Sequence, residues 1–228
     1  MKIIVKKMPY EKVLELPAEK TFKPVKPKFF WRWLIKFISK KDLKQTNFKY
    51  NMIGMEKLGK KEPCIILMNH SCFMDLEIAE TIMFPRPLNI VCTSDGFIGK
   101  KWLMRKIGCI PTNKFVSDMV LVRNMKYTLE KLHSAILMYP EASYSFDGTA
   151  TPLPQTLGKC LKLLKVPVIM IKTYGAFARD PLYNNLQVRQ VDVSADVKYL
   201  LSSKEIETKS VEELNEILKK EFTFDNWK

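Results

Sequence analysis

The order of apolar runs along this 228-residue chain most restricts the folds that it can adopt. From Phe48 onward, short apolar segments alternate with longer stretches of helical periodicity. The short segments predict buried strands over residues 64–68, 89–93, 135–139, 168–172 and 186–193. The stretches between them predict helices over residues 76–84, 100–107, 117–133 and 156–164. This alternation predicts an α/β fold with a mixed, largely parallel central sheet flanked by helices.

A final helix is predicted to begin at Ser210. Ser210 and Glu213 have the spacing of a capping box, in which each side chain satisfies a free backbone N–H of the other residue. Apolar residues then recur at helical spacing, which predicts one buried face.

The chain carries a strong excess of positive charge. Its 38 Lys and Arg residues against 24 Asp and Glu give a net charge of +14, which implies an anionic partner, either nucleic acid or a membrane surface. No sequence signature of a nucleic-acid module accompanies the charge, so an anionic membrane surface is the expected partner and nucleic acid is not. Five cysteines without a short paired motif predict no metal site and reduced thiols in the cytoplasm. The first residues lack the pattern of a signal peptide.

Residues 1–45 are predicted to form a basic, aromatic membrane-association segment, separate from a folded domain over residues 46–228. Residues 29–38 (FFWRWLIKFI) predict an amphipathic helix on which Arg32, Lys36 and Lys40 form one basic stripe. Ten helical residues rise about 15 Å, half of the roughly 30 Å hydrocarbon core, so the segment suits the membrane interface rather than a span. The alternative is a helix packed on the domain, with its cationic side chains extended to water.

A polar cluster, residues 69–75 (NHSCFMD), follows the first predicted strand, where α/β scaffolds present chemistry. The His70 imidazole can take a proton from a hydroxyl group, and Asp75 can orient the ring and stabilise its charged form. Without a serine clearly placed as nucleophile, this pair suits direct transfer to an alcohol. A structural turn, with Asp75 capping the next helix, is the alternative. Cys72 as a nucleophile is a competing mechanism, and His133 is predicted to be structural.

Four blocks between residues 53 and 172, in the right order, resemble the glycerolipid acyltransferase family. Residues 69–75 resemble its His-four-residues-Asp (HX4D) motif, and residues 108–114 (GCIPTNK) its second block. Residues 139–145 (YPEASYS) and 166–169 (VPVI) resemble the third and fourth blocks. The usual glycine and arginine of the third block are Ala142 and Tyr144 here, and the arginine of the second block is Lys114. Lysine does not replace the planar fork with which arginine binds phosphate.

The resemblance implies a 1-acylglycerol-3-phosphate O-acyltransferase-like enzyme with His70 and Asp75 as catalytic residues. The substrate-binding residues that it implies are Asn69, Lys114, Glu141, Ser143 and Tyr144. For Glu141 the implied role is either a hydrogen bond to the acceptor hydroxyl or ordering of the loop.

The expected reaction moves a fatty acyl group from a thioester donor to a lysophospholipid, lysophosphatidic acid or a related acceptor, in phospholipid biosynthesis. Acyl-CoA or an acylated carrier protein would be the co-substrate, with no other cofactor and no metal. The resemblance implies that residues 46–228 form the catalytic domain, and the expected location is the cytoplasm, peripheral on the inner face of the cell membrane. The alternative is a non-catalytic lipid- or nucleic-acid-binding protein on a degenerate acyltransferase fold.

Overall fold

A seven-stranded sheet forms the centre of the protein. The structure is a computed structural model that describes residues 12, 21–113, 119–145, 147–179 and 191–223. The strands of the described chain are β1 (Lys49–Ile53), β2 (Ile65–Met68), β3 (Leu88–Thr93), β4 (Cys109–Thr112), β5 (Ala135–Met138), β6 (Val168–Tyr174) and β7 (Ser194–Leu201). Their spatial order is β1-β7-β6-β2-β5-β3-β4.

Neighbouring strands are parallel throughout this sheet except for the antiparallel pair β6 and β7. The prediction of a mixed, largely parallel sheet is therefore confirmed. Because β1 pairs parallel with β7, both strands run against the other five. The start of β1 consequently lies at the sheet edge where β2 and β6 end.

Helices cover both faces of the sheet. They are α1 (Phe29–Gln45), α2 (Met74–Met83), α3 (Lys101–Lys106), α4 (Met119–Glu130), α5 (Thr156–Leu164), α6 (Ala176–Arg179), α7 (Ser203–Thr208) and α8 (Val211–Phe222). Successive side chains of β2 point to opposite faces, as strand geometry requires. Ile66 and Met68 pack with residues of α2 in one apolar core, whereas Ile65 and Leu67 pack with α4, α5 and α8 in the other. The fold therefore has three layers.

Four of the five predicted strands are present within about two residues of their predicted ends, and the capping box at Ser210 and Glu213 is formed. The predicted strand over residues 186–193 is wrong at residues 191–193, which precede β7, and its residues 186–190 lie outside the described residues. The sequence analysis also missed β1, β4 and β7. All five side chains of β1 are exposed, and polar residues interrupt its apolar ones, so this strand lacks the continuous apolar run by which buried strands were predicted.

Helix α1 is longer than predicted and packs on α2. The predicted basic stripe is wrong at Arg32, whose side chain is only 2% exposed. Its Nη2 lies 2.9 Å from Glu80 Oε2, and its Nη1 donates to the Pro85 carbonyl at 2.8 Å. Lys36 is half-buried over the Phe84 ring. Arg32 therefore binds α1 to the domain instead of facing solvent.

The outward surface of α1 is aromatic and aliphatic. Trp33 and Phe37 are stacked with ring centroids 5.5 Å apart, and Trp33 also stacks on Phe30. The exposed large side chains of this surface are Phe29, Phe30, Trp33, Phe37 and Ile38. Among the described residues, no helix has the length and apolar character needed to cross a membrane.

Candidate active site

His70 and Asp75 meet at the edge of the sheet where β2 ends. A short loop follows Met68, and α2 then begins at Met74, so Asp75 lies in the first turn of that helix. His70 Nδ1 is 2.9 Å from Asp75 Oδ2. The Asp75 side chain is fully buried, whereas the His70 ring is 18% exposed. The pair thus combines a buried carboxylate with an imidazole that solvent can reach.

Asp75 Oδ2 accepts two further hydrogen bonds, from the Ser71 N–H at 2.7 Å and the Cys72 N–H at 3.1 Å. Both groups belong to the turn that precedes α2, so the carboxylate also stabilises the start of the helix. The structural-turn interpretation of Asp75 and its pairing with His70 therefore both hold for one oxygen atom, whereas the prediction that Asp75 caps the helix is wrong, because the N-cap residue is Phe73 and no side chain caps it. Because Nδ1–H donates to Asp75, Nε2 is the ring nitrogen that can accept a proton. No described residue hydrogen-bonds to Nε2.

Asn69 joins the ends of β2 and β6. Its Oδ1 accepts from the Thr173 N–H at 2.8 Å and its Nδ2 donates to the Thr173 carbonyl at 3.0 Å. The Asn69 side chain is buried, so these bonds fix the backbone directly before His70. Contact of Asn69 with a substrate stays a prediction.

Glu141 orders the loop that follows β5. Its Oε2 accepts from the His70 N–H at 3.2 Å, and its Oε1 accepts from the Thr151 N–H at 2.8 Å. Burial raises the pKa of the Glu141 carboxyl, and these two backbone bonds oppose that rise. Of the two roles implied for Glu141, the geometry shows ordering of the loop. A hydrogen bond to the acceptor stays a prediction.

Two tyrosines of the same loop stack on the faces of the His70 ring. The ring centroids of Tyr139 and His70 are 3.8 Å apart with 16° between the planes. Tyr144 lies at the same centroid distance from His70, with 28° between the planes. Burial, with a smaller contribution from the Asp75 charge, raises the pKa of the Tyr139 hydroxyl well above its usual value. Tyr139 therefore stays neutral beside the imidazole.

Four further residues were considered in the sequence analysis: Ser143, Lys114, Cys72 and His133. Ser143 is exposed and its Oγ donates to the Glu141 carbonyl at 3.4 Å. Lys114 lies outside the described residues. Cys72 is 1% exposed and part of the apolar core, which does not suit a nucleophile that must reach substrate. His133 is exposed just beyond α4, away from the sheet edge that carries His70.

Sequence reasoning missed Tyr139 and Thr173 as neighbours of the pair. Tyr139 is the first residue after β5 and Thr173 lies near the end of β6, so both could have been found as strand-end residues. The Ser71 and Cys72 backbone donors carry no side-chain signal. Within the described ranges, no group of three or more His, Cys, Asp or Glu side chains is placed to hold a metal ion.

Comparisons with known proteins identify the family and the fold of the chain. A family model described as Acyltransferase matches residues 49–172, more than half of the chain. Among solved structures, the chain is similar to the 1-acyl-sn-glycerophosphate (LPA) acyltransferase PlsC from Thermotoga maritima, with a TM-score of 0.67 and 17% identity. That match covers 84% of this chain and 76% of the other, and it shows a shared fold. The search of curated proteins found no match. The family match confirms the resemblance seen in the sequence: the chain belongs to the acyltransferase family.

Proposed function

We propose that this acyltransferase moves a fatty acyl group from a thioester donor to a hydroxyl group of a lysophospholipid. The observation that carries the proposal is the 2.9 Å contact between His70 Nδ1 and Asp75 Oδ2 beside an Nε2 that no described residue occupies. Such a pair supplies a general base at a sheet edge that substrates can reach.

In the proposed reaction, His70 Nε2 removes the proton of the acceptor hydroxyl as its oxygen attacks the thioester carbonyl carbon. The new C–O bond forms, the C–S bond breaks, and the electron pair of that bond leaves with the sulfur. The proton held on Nε2 then passes to the thiolate, which regenerates the neutral imidazole. General-base catalysis of this kind typically contributes about a hundredfold to ten-thousandfold in rate.

Asp75 has two roles in this mechanism. Its Oδ2 fixes the ring so that Nδ1 carries a proton and Nε2 does not. Its negative charge also stabilises the imidazolium that forms during the attack. The carboxylate is fully buried, so water screens this attraction weakly.

The acceptor class rests on similarity rather than on a bound molecule. The solved PlsC structure is named for 1-acyl-sn-glycerophosphate, and the family blocks extend over the site. On this similarity we propose a lysophospholipid, lysophosphatidic acid or a related one, as the acceptor, although Tyr144 occupies the place of the third-block arginine and supplies no cation for a phosphate. Lys114 remains the proposed cation for its phosphate.

We also propose that the protein works at an anionic membrane surface, from the cytoplasmic side. Five large apolar side chains of α1 face solvent; Phe37, for example, is 62% exposed. Aromatic side chains beside lysines suit the boundary between headgroups and acyl chains. The net charge of +14 favours anionic lipids over neutral ones.

The proposed reaction can be tested with labelled acyl-CoA and acylated carrier protein against a panel of lysolipids, with products identified by mass spectrometry. His70→Asn should abolish transfer. His133→Asn is the matched control and should retain it, since His133 is exposed and asparagine tolerates its positive φ of 47°. Absence of transfer from either donor to every acceptor, or full turnover by His70→Asn, would contradict the proposal.

Membrane binding can be tested separately by co-sedimentation with vesicles. Replacing Trp33 and Phe37 by serine should lower binding to anionic vesicles about a hundredfold, since each removes a buried aromatic group from the interface. The control is Leu163→Ser, an exposed leucine of α5 on the other side of the sheet. Unchanged vesicle binding by the double variant would contradict this part of the proposal. Binding of RNA in place of vesicles would favour the nucleic-acid alternative.

A further inference from the structure

Two tyrosine rings lie closer to the His70 ring than the rings of most aromatic pairs lie to each other. Two aromatic rings usually meet edge to face or offset, with centroids about 4.5–7 Å apart. Here Tyr139 and Tyr144 each lie with their centroid 3.8 Å from that of His70 and nearly parallel to it. The imidazole is therefore enclosed on both faces, and only its edge is open.

The loop that carries the two tyrosines also holds the His70 backbone. The Ser145 N–H donates to the His70 carbonyl at 2.8 Å, while Glu141 accepts from the His70 N–H. The loop turns between the tyrosines at Ala142, whose φ is 55°. Residues 139–145 thus contact His70 through two ring stacks and two hydrogen bonds. This segment therefore holds both the ring and the backbone of one residue, His70.

We propose that Tyr144 is a positioning residue for acyl transfer, which with Tyr139 holds the His70 ring so that Nε2 points to the acceptor hydroxyl. This inference rests on the proposed function. Parallel stacking suits a cation between two π faces, because the negative ring faces attract positive charge within about 6 Å. Imidazole is a cation only after it takes the hydroxyl proton. The two stacks therefore stabilise the transition state more than the resting enzyme.

The kinetic test compares Tyr144→Leu with Tyr144→Phe. Leucine keeps apolar bulk and removes the π face, so kcat should fall about tenfold while KM for the acceptor stays within about twofold. Phenylalanine keeps the π face and should restore kcat to within about twofold of the wild type. Tyr127→Leu, an exposed tyrosine of α4, is the matched control and should leave kcat unchanged.

A spectroscopic readout follows the ring directly. His70 and His133 are the two histidines of the chain, so their carbon-bound ring protons can be assigned by NMR with single variants. Protons between two aromatic faces are shielded, so the signals of His70 should lie upfield of those of His133. Tyr144→Leu should move them downfield, whereas Tyr144→Phe should not.

The outcomes separate the two proposals. Unchanged kcat in Tyr144→Leu, with an active wild type, overturns the role of Tyr144 alone. The same is true if His70 signals in the wild type show no upfield shift, or if leucine and phenylalanine lower kcat equally. A wild type that transfers no acyl group overturns the proposed function and, with it, the role of Tyr144.

Discussion

Replacing Asp75 by Asn removes one charge from the site and puts an amide NH2 group in the place of Oδ1, a buried atom for which the described residues offer no hydrogen-bond partner. An asparagine oxygen can still accept the three hydrogen bonds that Asp75 Oδ2 accepts from His70, Ser71 and Cys72. What is lost is the attraction between the carboxylate and the imidazolium. For unit charges about 4 Å apart at an effective dielectric constant of about 20, this attraction is about 4 kcal/mol. Since about 1.4 kcal/mol corresponds to a tenfold change in rate, kcat should fall about a thousandfold.

The assay measures kcat at saturating donor and acceptor, together with a thermal melt that reports whether the fold survives. Asp192→Asn is the matched control: Asp192 is exposed, contacts only the Asn47 side chain among the hydrogen bonds described, and should leave kcat unchanged. If Asp75→Asn keeps more than a tenth of the wild-type kcat while His70→Asn is inactive, Asp75 does not stabilise the imidazolium and this reasoning is refuted.

Three further predictions concern stability, each measured by urea unfolding. Arg32→Met leaves the Glu80 carboxylate buried without its partner and should cost about 3–5 kcal/mol, whereas replacing both residues by methionine should recover most of the loss. Asn69→Ala removes the partners of the buried Thr173 N–H and carbonyl and should cost on the order of 3 kcal/mol. Burial raises the pKa of the Cys64 thiol to about 12 from 9.0. Between these two pKa values the folded thiol keeps a proton that the unfolded thiol loses. The contribution of the protonated thiol to the free energy of unfolding is therefore fully present below pH 9 and is lost as the pH rises toward 12. In Cys64→Ala the free energy of unfolding should therefore fall less than in the wild type between pH 9 and 12.

Each of these has an outcome that would contradict it. Equal unfolding free energies for the single and double methionine variants would show that the unpaired carboxylate is not the cause of the loss. A loss of less than about 0.5 kcal/mol in the free energy of unfolding of Asn69→Ala would mean that water hydrogen-bonds to the freed Thr173 N–H and carbonyl. Parallel pH curves for the wild type and Cys64→Ala between pH 9 and 12 would exclude the thiol as the titrating group.

The strands that the sequence predicts well are those buried on both faces. β2 and β6 lie in the middle of the sheet and appear in the sequence as continuous apolar runs. β1 and β4 are edge strands, and β4 contains Pro111, a residue that edge strands tolerate. β1 is exposed along its length, whereas β4 is buried at three of its four positions and Pro111 interrupts its apolar run. β7 mixes buried and half-buried positions, and no predicted strand overlaps it.

For the site, the chemistry of the side chains could be predicted from the sequence, but their contacts, which depend on the path of the backbone, could not. His70 and Asp75 could be paired because both follow a buried strand at short spacing. Arg32 was misplaced because helical periodicity alone cannot distinguish a cation that faces solvent from one that finds a carboxylate 48 residues away. The stack of Tyr144 on His70 depends on a loop turn at Ala142, which no local pattern specifies.

Helix α2 holds two buried carboxylates that both have partners outside the helix. Asp75 in its first turn binds the His70 ring, and Glu80 near its end binds Arg32 of the aromatic helix. Five residues of helix separate them, about 7.5 Å along the axis. This rigid part of α2 fixes the distance between His70 Nε2, the proposed base, and α1, the helix that we place against lipid. A tilt of α1 on the membrane surface that we propose would therefore be transmitted to the pair of His70 and Asp75 through about one and a half turns of α2.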